Sequence, residues 1–315
     1  SMHRVLVLGG SGFVGRALCE RLAQSHPSVR LLVPTRHNAH GQAVRPLPNV
    51  DLITADVHDE AALTRLATGC DAVVNLIAIL HGSEAAFERV HVALPRRIVA
   101  ACSAAGVRRL VHVSALGVAA NAPSRYLRSK AAGEAVFTGS GLDVTVLRPS
   151  VIFGAHDRFL NTFAQLQQLA PFMPLAFGHA RFQPVWVGDV AAAIATALER
   201  PDTAGQVFEC AGPREATLSE LVRLSGLWAG VPRPQLPLPG WAGSLQATLM
   251  ELMPGEPLMS RDNVASMSVP NVATGTLPGL AELGITPTPL EAVAPGYLAE
   301  RFGPMPADRF RARRR

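Results

Sequence analysis

Tyr126 and Lys130 carry the first chemical signal in this sequence. They stand at i and i+4, so a helix through them places both on one face. Both residue types are scarce: of the 29 Lys and Arg residues Lys130 is the lone Lys, and Tyr297 is the only other Tyr. In a chain that uses Arg almost everywhere else, a retained Lys marks a role that a broad guanidinium fills poorly. An ammonium beside a phenol draws the phenol's pKa down from about 10 and makes it an acid/base for proton transfer. Ser114, closing the apolar run Val111-His112-Val113, falls where it would hold a substrate oxygen beside that phenol.

A second signal lies near the start. The segment Gly9-Gly10-Ser11-Gly12-Phe13-Val14-Gly15 satisfies both G-x-G-x-x-G and G-x-x-G-x-x-G and follows the apolar run Val5 to Leu8. Glycines at this spacing allow a tight turn and let a pyrophosphate approach the N–H groups at a helix start, where the dipole favours anions. Gly9, Ser11, Gly12, Phe13, Val14 and Gly15 are therefore the candidate phosphate-binding set. The second strand ends Leu32-Val33-Pro34-Thr35-Arg36-His37, without the carboxylate that would bond a ribose 2′-OH. Arg36 there favours NADP(H) over NAD(H); the alternative is a solvated loop Arg. Asp56 and Val57 are placed to meet an adenine, and Leu76, Ile77 and Ala78 to line a ribose. Lys130 would reach the ribose hydroxyls near the nicotinamide, whose positive charge when oxidised would further lower the Tyr126 pKa.

The elements that must position these residues follow from the apolar pattern. Strands are expected at Val5 to Leu8, Val29 to Val33, Val50 to Thr54, Ala72 to Ile77, Arg109 to Val113 and Val144 to Leu147. They alternate with helices at about Gly12 to Gln24, Asp59 to Ala67, Glu84 to Ala105 and Ser124 to Thr138. That order predicts an α/β Rossmann fold, a doubly wound parallel sheet that binds ligands at its strands' carboxyl ends. A helix from Asp157 to Leu169, a strand Gln183 to Val187, a helix Gly188 to Glu199 and a last strand Gln206 to Cys210 follow. Beyond Gly212 no strand pattern stands out. Residues 1–154 with about 183–212 are thus assigned to the dinucleotide domain. About 155–182 with 213–315 make a smaller, mainly irregular and helical carboxyl-terminal lobe.

Composition excludes several classes. With 48% hydrophobic and 17% charged residues the chain is an ordinary globular protein. Most of its +5 net charge sits in residues 308–315, which hold five Arg and one Asp. That tail is expected to be solvated, with contact to anionic phospholipid or an acidic partner as the alternative. Aromatics amount to 5%, and no basic stripe interleaves with them, so no nucleic-acid partner is expected. Cys19, Cys70, Cys102 and Cys210 form no C-x-x-C pair and read as buried thiols of a reducing compartment. The start on an apolar strand, with Ser1 as a cloning remnant, predicts a cytoplasmic protein without a secretion signal. The apolar run Ala72 to Leu80 is too short to span a bilayer. His37 and His40 lack a third ligand nearby, so no metal is expected. His91 and His112 read as interior histidines, Asp189 as a helix N-cap, and Trp241 to Met253 as a helix packed on the lobe, with a membrane or partner surface as the alternative.

The loop, the strand-end Ser114 and Tyr126-x-x-x-Lys130 together resemble the extended short-chain dehydrogenase/reductases. The segments Ser124 to Glu134, Arg148 to Gly154, Asp157 to Asn161, Gln183 to Val190 and Pro278 to Ile285 resemble one branch, the NADPH-binding accessory subunit of respiratory complex I and its bacterial relatives. The resemblance spans nearly the whole chain. It adds Pro149 and Val151 to the cofactor-binding residues and Ser114, Tyr126 and Lys130 as the catalytic set. It implies either an NADPH-dependent oxidoreductase of epimerase/dehydratase type with an unknown, quinone-like substrate, or a non-catalytic subunit holding NADPH in a respiratory or quinone-biosynthesis complex. The second implies a place at the inner-membrane surface.

Overall fold

A computed structural model describes residues 2–303; Ser1 and residues 304–315, including the basic tail 308–315, lie outside the described residues. Six apolar runs become strands β1 (Arg4–Leu8), β2 (Arg30–Thr35), β3 (Val50–Thr54), β4 (Ala72–Asn75), β5 (Arg109–Val113) and β6 (Asp143–Pro149). Runs apolar at successive positions suit strands covered on both faces, because side chains alternate across a sheet. With β11 (Val207–Cys210) they form one parallel sheet in the order β11-β6-β5-β4-β1-β2-β3. The chain winds from β1 outward through β2 to β3, then returns to place β4 on the other side of β1. This reversal opens a crevice at the carboxyl ends of β1 and β4.

The remaining strands are short: β7 (Ile152–Phe153), β8 (Met173–Ala176), β9 (Arg181–Phe182), β10 (Val185–Trp186), β12 (Ala216–Thr217) and β13 (Gln235–Leu238). The helices are α1 (Phe13–Ser25), α2 (Glu60–Ala67), α3 (Glu84–Glu88), α4 (Leu94–Ala105), α5 (Arg125–Thr138), α6 (Leu160–Leu169), α7 (Val187–Glu199), α8 (Leu218–Ala229), α9 (Gly240–Glu251), α10 (Arg261–Ser266) and α11 (Leu290–Phe302). Leu18 and Leu22 of α1 pack with Val190 and Ile194 of α7 on one sheet face. Leu63 of α2, Ile98 of α4 and Phe137 of α5 cover the other.

Several sequence expectations change. The strand expected at Gln183 to Val187 shrinks to β10, which pairs with β7 outside the main sheet; Pro184 has no N–H to extend it. Strands do occur after Gly212: β12 pairs with β9 and β13 with β8, each in a two-stranded sheet where an edge proline such as Pro237 is tolerated. Asp189 does not cap α7, whose N-cap is Trp186. It is buried in the first turn and accepts from the Thr288 backbone N–H at 2.8 Å and hydroxyl at 3.3 Å, tying the carboxyl-terminal segment to the sheet.

The expected helix Glu84 to Ala105 is continuous, but Arg89–Ala93 between α3 and α4 widens into a π-helical turn. Pro95, at the start of α4, lacks the N–H that a regular ladder would use, which is a physical reason for the wider turn. The turn pushes the His91 carbonyl against α5, where a Cβ on Gly133 would lie 1.9 Å from it.

The lobe's core joins α6, α8 and α11 through Leu160, Leu221 and Leu298. Helix α9 departs from the expected packing. It buries Gly243 and Ala247, while Trp241, Leu245 and Leu249 are more than half exposed. Its inner contact is made by glycine: a Cβ on Gly243 would lie 2.4 Å from the Ala176 Cβ. The apolar stripe therefore faces outward.

Burial dictates how the lobe answers truncation. Leu298→Ala should lower the unfolding free energy by about 2–5 kcal/mol, whereas Leu249→Ser should stay within about 0.5 kcal/mol. Urea unfolding of the two variants checks both values.

Candidate functional site

The glycine-rich loop joins β1 to α1 through close backbone approach. Gly9 has φ +82°, and a Cβ there would meet the Leu76 backbone at 3.1 Å. A Cβ on Gly15 would lie 2.3 Å from the Gly9 carbonyl oxygen, so only glycine lets α1 start this close to the turn. The Gly12 N–H donates to the Gly9 carbonyl at 3.1 Å. Helix α1 begins with Gly12 as N-cap, with no side-chain cap and no acidic residue in its first turn. Its first N–H groups are thus left to an anion, as a pyrophosphate requires.

Beside the loop lies a cleft of about 240 Å³. Of the expected cofactor residues it is lined by Gly9, Ser11, Arg36, Asp56, Val57 and Ile77. Phe13 and Val14 instead pack inward, the first facing Gly154 and the second joining the sheet core. Leu76 contributes its backbone against Gly9, and Ala78 is exposed just beyond. Pro149 ends β6, its carbonyl accepting from the Leu116 N–H at 3.1 Å. The Val151 N–H is taken by the Asn271 side chain at 2.7 Å, leaving Val151 only its side chain to offer.

Arg36 pairs with Asp56 at 3.2 Å across the cleft, both half exposed. The Asp56 carboxyl is held below its usual range chiefly by the His58 N–H, with Arg36 adding to it. Thr35, His40, His58 and Arg89 also line this wall, and none is expected from the sequence to bind the cofactor; His40 is weighed there only as a metal ligand. Arg89 arrives from the π-helical turn, which no sequence pattern announced. Burial, with Arg89 nearby, lowers the His58 pKa.

The second cluster sits at the carboxyl ends of β5 and β6. Ser124 caps α5 by accepting from the Leu127 N–H, and Asp262 of α10 accepts from the Arg125 and Tyr126 N–H groups at 2.7 and 3.0 Å. The lobe thus fixes the turn that carries Tyr126. The Tyr126 ring lies edge-on to His91, with centroids 5.6 Å apart. His91 Nε2 accepts from the Ile79 N–H at 3.0 Å, so its proton sits on Nδ1 toward Ser129, 2.8 Å away. Burial, helped by Lys130, pushes the His91 pKa down to about 3, keeping the ring neutral. It is the satisfied interior histidine that the sequence suggested.

Lys130 is buried, 3% exposed, and donates to the Val113 carbonyl at 3.0 Å. Burial lowers its pKa to about 8, against the opposing pull of Glu134. Burial also raises the Tyr126 pKa to about 12. The expected lowering of the phenol is therefore absent from the free chain, because burial desolvates the phenolate. Near neutrality the pair holds a protonated phenol and a charged amine, the state of a proton donor. Ser114 stands at the end of β5 as expected, but its hydroxyl donates to Glu134 at 2.7 Å. Among the described residues no three His, Cys, Asp or Glu side chains gather as a metal site.

A dinucleotide loop on a parallel sheet, with Tyr-x-x-x-Lys on the fifth helix of the chain, narrows the family. The profile of the NAD dependent epimerase/dehydratase family matches residues 5–211. The chain belongs to that family. Its members bind a nicotinamide dinucleotide, and the glycine cradle here fits one. Among relatives, the rat (Rattus norvegicus) mitochondrial NADH dehydrogenase [ubiquinone] 1 alpha subcomplex subunit 9 is 34% identical over 293 residues, 90% of this chain and 77% of that protein. A ceramide reductase from Caulobacter vibrioides is 30% identical over 198 residues, covering 62% of this chain and 61% of its own. An NADPH-dependent quinone oxidoreductase from Escherichia coli, solved with NADPH, shares the fold at TM-score 0.75 and 21% identity, over 93% of this chain and 99% of that one. Among the described residues no helix is long and apolar enough to cross a membrane.

The buried ammonium has a measurable consequence. Its pKa falls from 10.5 to about 8 on folding, so between those values the unfolded chain binds the extra proton. The Lys130 contribution to stability should therefore rise with pH across that window, by up to about 3 kcal/mol. Subtracting the stability curve of Lys130→Met from that of the native chain isolates it, since the buried thiols, all raised by burial, cancel in the difference. A difference that is flat from pH 8 to 10.5 would contradict the assignment.

Proposed function

We propose that this epimerase/dehydratase-family protein is an NADP(H)-dependent oxidoreductase in which Tyr126 donates or takes the proton at the reacting oxygen. The observation that carries the reading is the lone lysine, buried beside a protonated phenol at the strand ends that also carry the dinucleotide loop. A bound nicotinamide dinucleotide supplies the hydride. Lys130 holds the ribose hydroxyls and stabilises a phenolate as the proton leaves, and Ser114 sits beside the substrate oxygen. Preference for NADP(H) is supported by the cleft wall: Arg36, Arg89, His40 and His58 face it, and its carboxylate, Asp56, is already paired with Arg36. The substrate is a carbonyl or alcohol with an apolar, quinone-like or lipid-like body, in keeping with the printed activities of the ceramide reductase and the quinone oxidoreductase.

A second reading, a non-catalytic subunit that holds NADPH in a membrane-associated complex, draws on two observations. Similarity to the mitochondrial subunit runs along 90% of the chain, and the Ser114 proton is committed to Glu134 rather than to the cleft. The outward apolar stripe of α9 and the Arg-rich tail suit a peripheral place at a membrane surface.

One measurement tests the cofactor preference that both readings share, and a second decides between them. Arg36→Ala should weaken NADPH binding about tenfold or more while leaving NADH within a few-fold, by titration calorimetry. With a panel of quinones and aldehydes, Tyr126→Phe should lower kcat about a hundredfold or more and keep the NADPH Kd within a few-fold. NADPH held tightly by the purified chain, with no oxidation by any of the panel, would remove the enzyme reading and leave the subunit.

A further inference from the structure

Tyr126, Lys130 and Glu134 follow one another at i, i+4 and i+8 on α5, so a carboxylate stands one turn past the ammonium on the same helix face. Glu134 is 6% exposed. Its oxygens accept from Arg148 of β6, Nη2 at 2.5 Å and Nε at 3.1 and 3.2 Å, and from the Ser114 hydroxyl at 2.7 Å. A serine hydroxyl has one proton. Because Ser114 spends it on Glu134, Ser114 turns lone pairs toward anything else that approaches, and the partner it accepts from must itself carry a proton. Glu134 from α5, neutral His91 from the π-helical turn, and His112 and the Val113 carbonyl from β5 bear on Lys130; Tyr126 is its i−4 neighbour on the helix, and the Arg148 guanidinium of β6 is paired with Glu134. Among these described residues Glu134 is the anion.

We propose that Glu134 is a positioning residue of this site: wedged between Arg148 and Ser114, it fixes the direction of the Ser114 hydroxyl and supplies the negative charge that keeps buried Lys130 an ammonium. The Arg148 fork holds the carboxylate in one orientation, so both effects are built into the sheet before any ligand arrives. With Gln at 134, Arg148 claims the amide oxygen, the NH2 turns to Ser114, and the charge is lost. The inference deepens the reading of this site as a dinucleotide-dependent one, and its test reads Lys130 directly.

With one lysine in the chain, protein carrying 15N at lysine Nζ gives a single side-chain signal. The native chain should titrate close to pH 8. Glu134→Gln should titrate at clearly lower pH, and Glu134→Asp, which keeps the charge, near the native value. Ser114→Ala leaves the carboxylate in place and should titrate at or above the native pH. The double variant Glu134→Gln/Arg148→Met leaves no unpaired buried guanidinium and should also titrate below the native pH, by less than the single variant because a cation leaves with the carboxylate, and it tests the proposal even if the single variant folds poorly. NADPH affinity should follow the same titration and become about fivefold weaker at pH 8 in Glu134→Gln. A folded Glu134→Gln, or double variant, with the native midpoint overturns the proposal, as does an equal move in Glu134→Asp. A lysine that responds as stated while no carbonyl is reduced upholds Glu134's role and removes the oxidoreductase reading alone.

Discussion

A lysine ammonium taken out of water is the constraint around which the centre of this protein is arranged. Burial alone would drive Lys130 toward the neutral amine. The Val113 carbonyl and the Glu134 charge oppose that, and each requires others in place. Glu134 needs Arg148 and Ser114 to satisfy its oxygens, which fixes the ends of β5 and β6 against α5. Helix α5 in turn comes close only because Gly133 leaves room for the His91 carbonyl. Removing one member leaves a buried charge without compensation, a larger cost than the pair's own net stabilisation.

The carboxyl-terminal lobe is fastened to the sheet at the same end. Asp262 caps the first turn of α5, Asn271 takes the Val151 N–H, and Thr274 donates to Glu209 of β11 at 2.7 Å. Thr288 reaches Asp189 on α7. These polar ties cross 65 to 137 residues of sequence. The lobe is thus part of what orients Tyr126, and a change in how it sits would be felt at the phenol without any change in the dinucleotide loop.

Much of the sheet was legible because its signals are local. Buried parallel strands read as apolar runs, and the loop glycines stand beside the strand and helix they join. Val50–Thr54 and Arg109–Val113 fall where the pattern put them. The short strands of the lobe escaped notice because two to four residues, broken by Pro174 in β8 and Pro237 in β13, carry no periodicity. Helix α9 misled for a related reason. Its Trp241, Leu245 and Leu249 have the spacing of a core face, and spacing alone does not say whether a partner lies opposite. In the cleft, Arg36 could be read from its place after the second strand, but Arg89 could not, since a π-helical turn aims it there.

Residue types and spacing determined by themselves that this chain winds a dinucleotide-binding sheet and carries Tyr126 and Lys130 on one helix face. Both facts depend on periodicity and on backbone space, which sequence encodes directly. Only the tertiary structure decided the protonation and hydrogen-bond state of that pair: the phenol raised by burial, the ammonium lowered by it, and the Ser114 proton turned to Glu134. Those outcomes depend on how much water is excluded and on which distant groups, such as Arg148 and His91, are folded against the site.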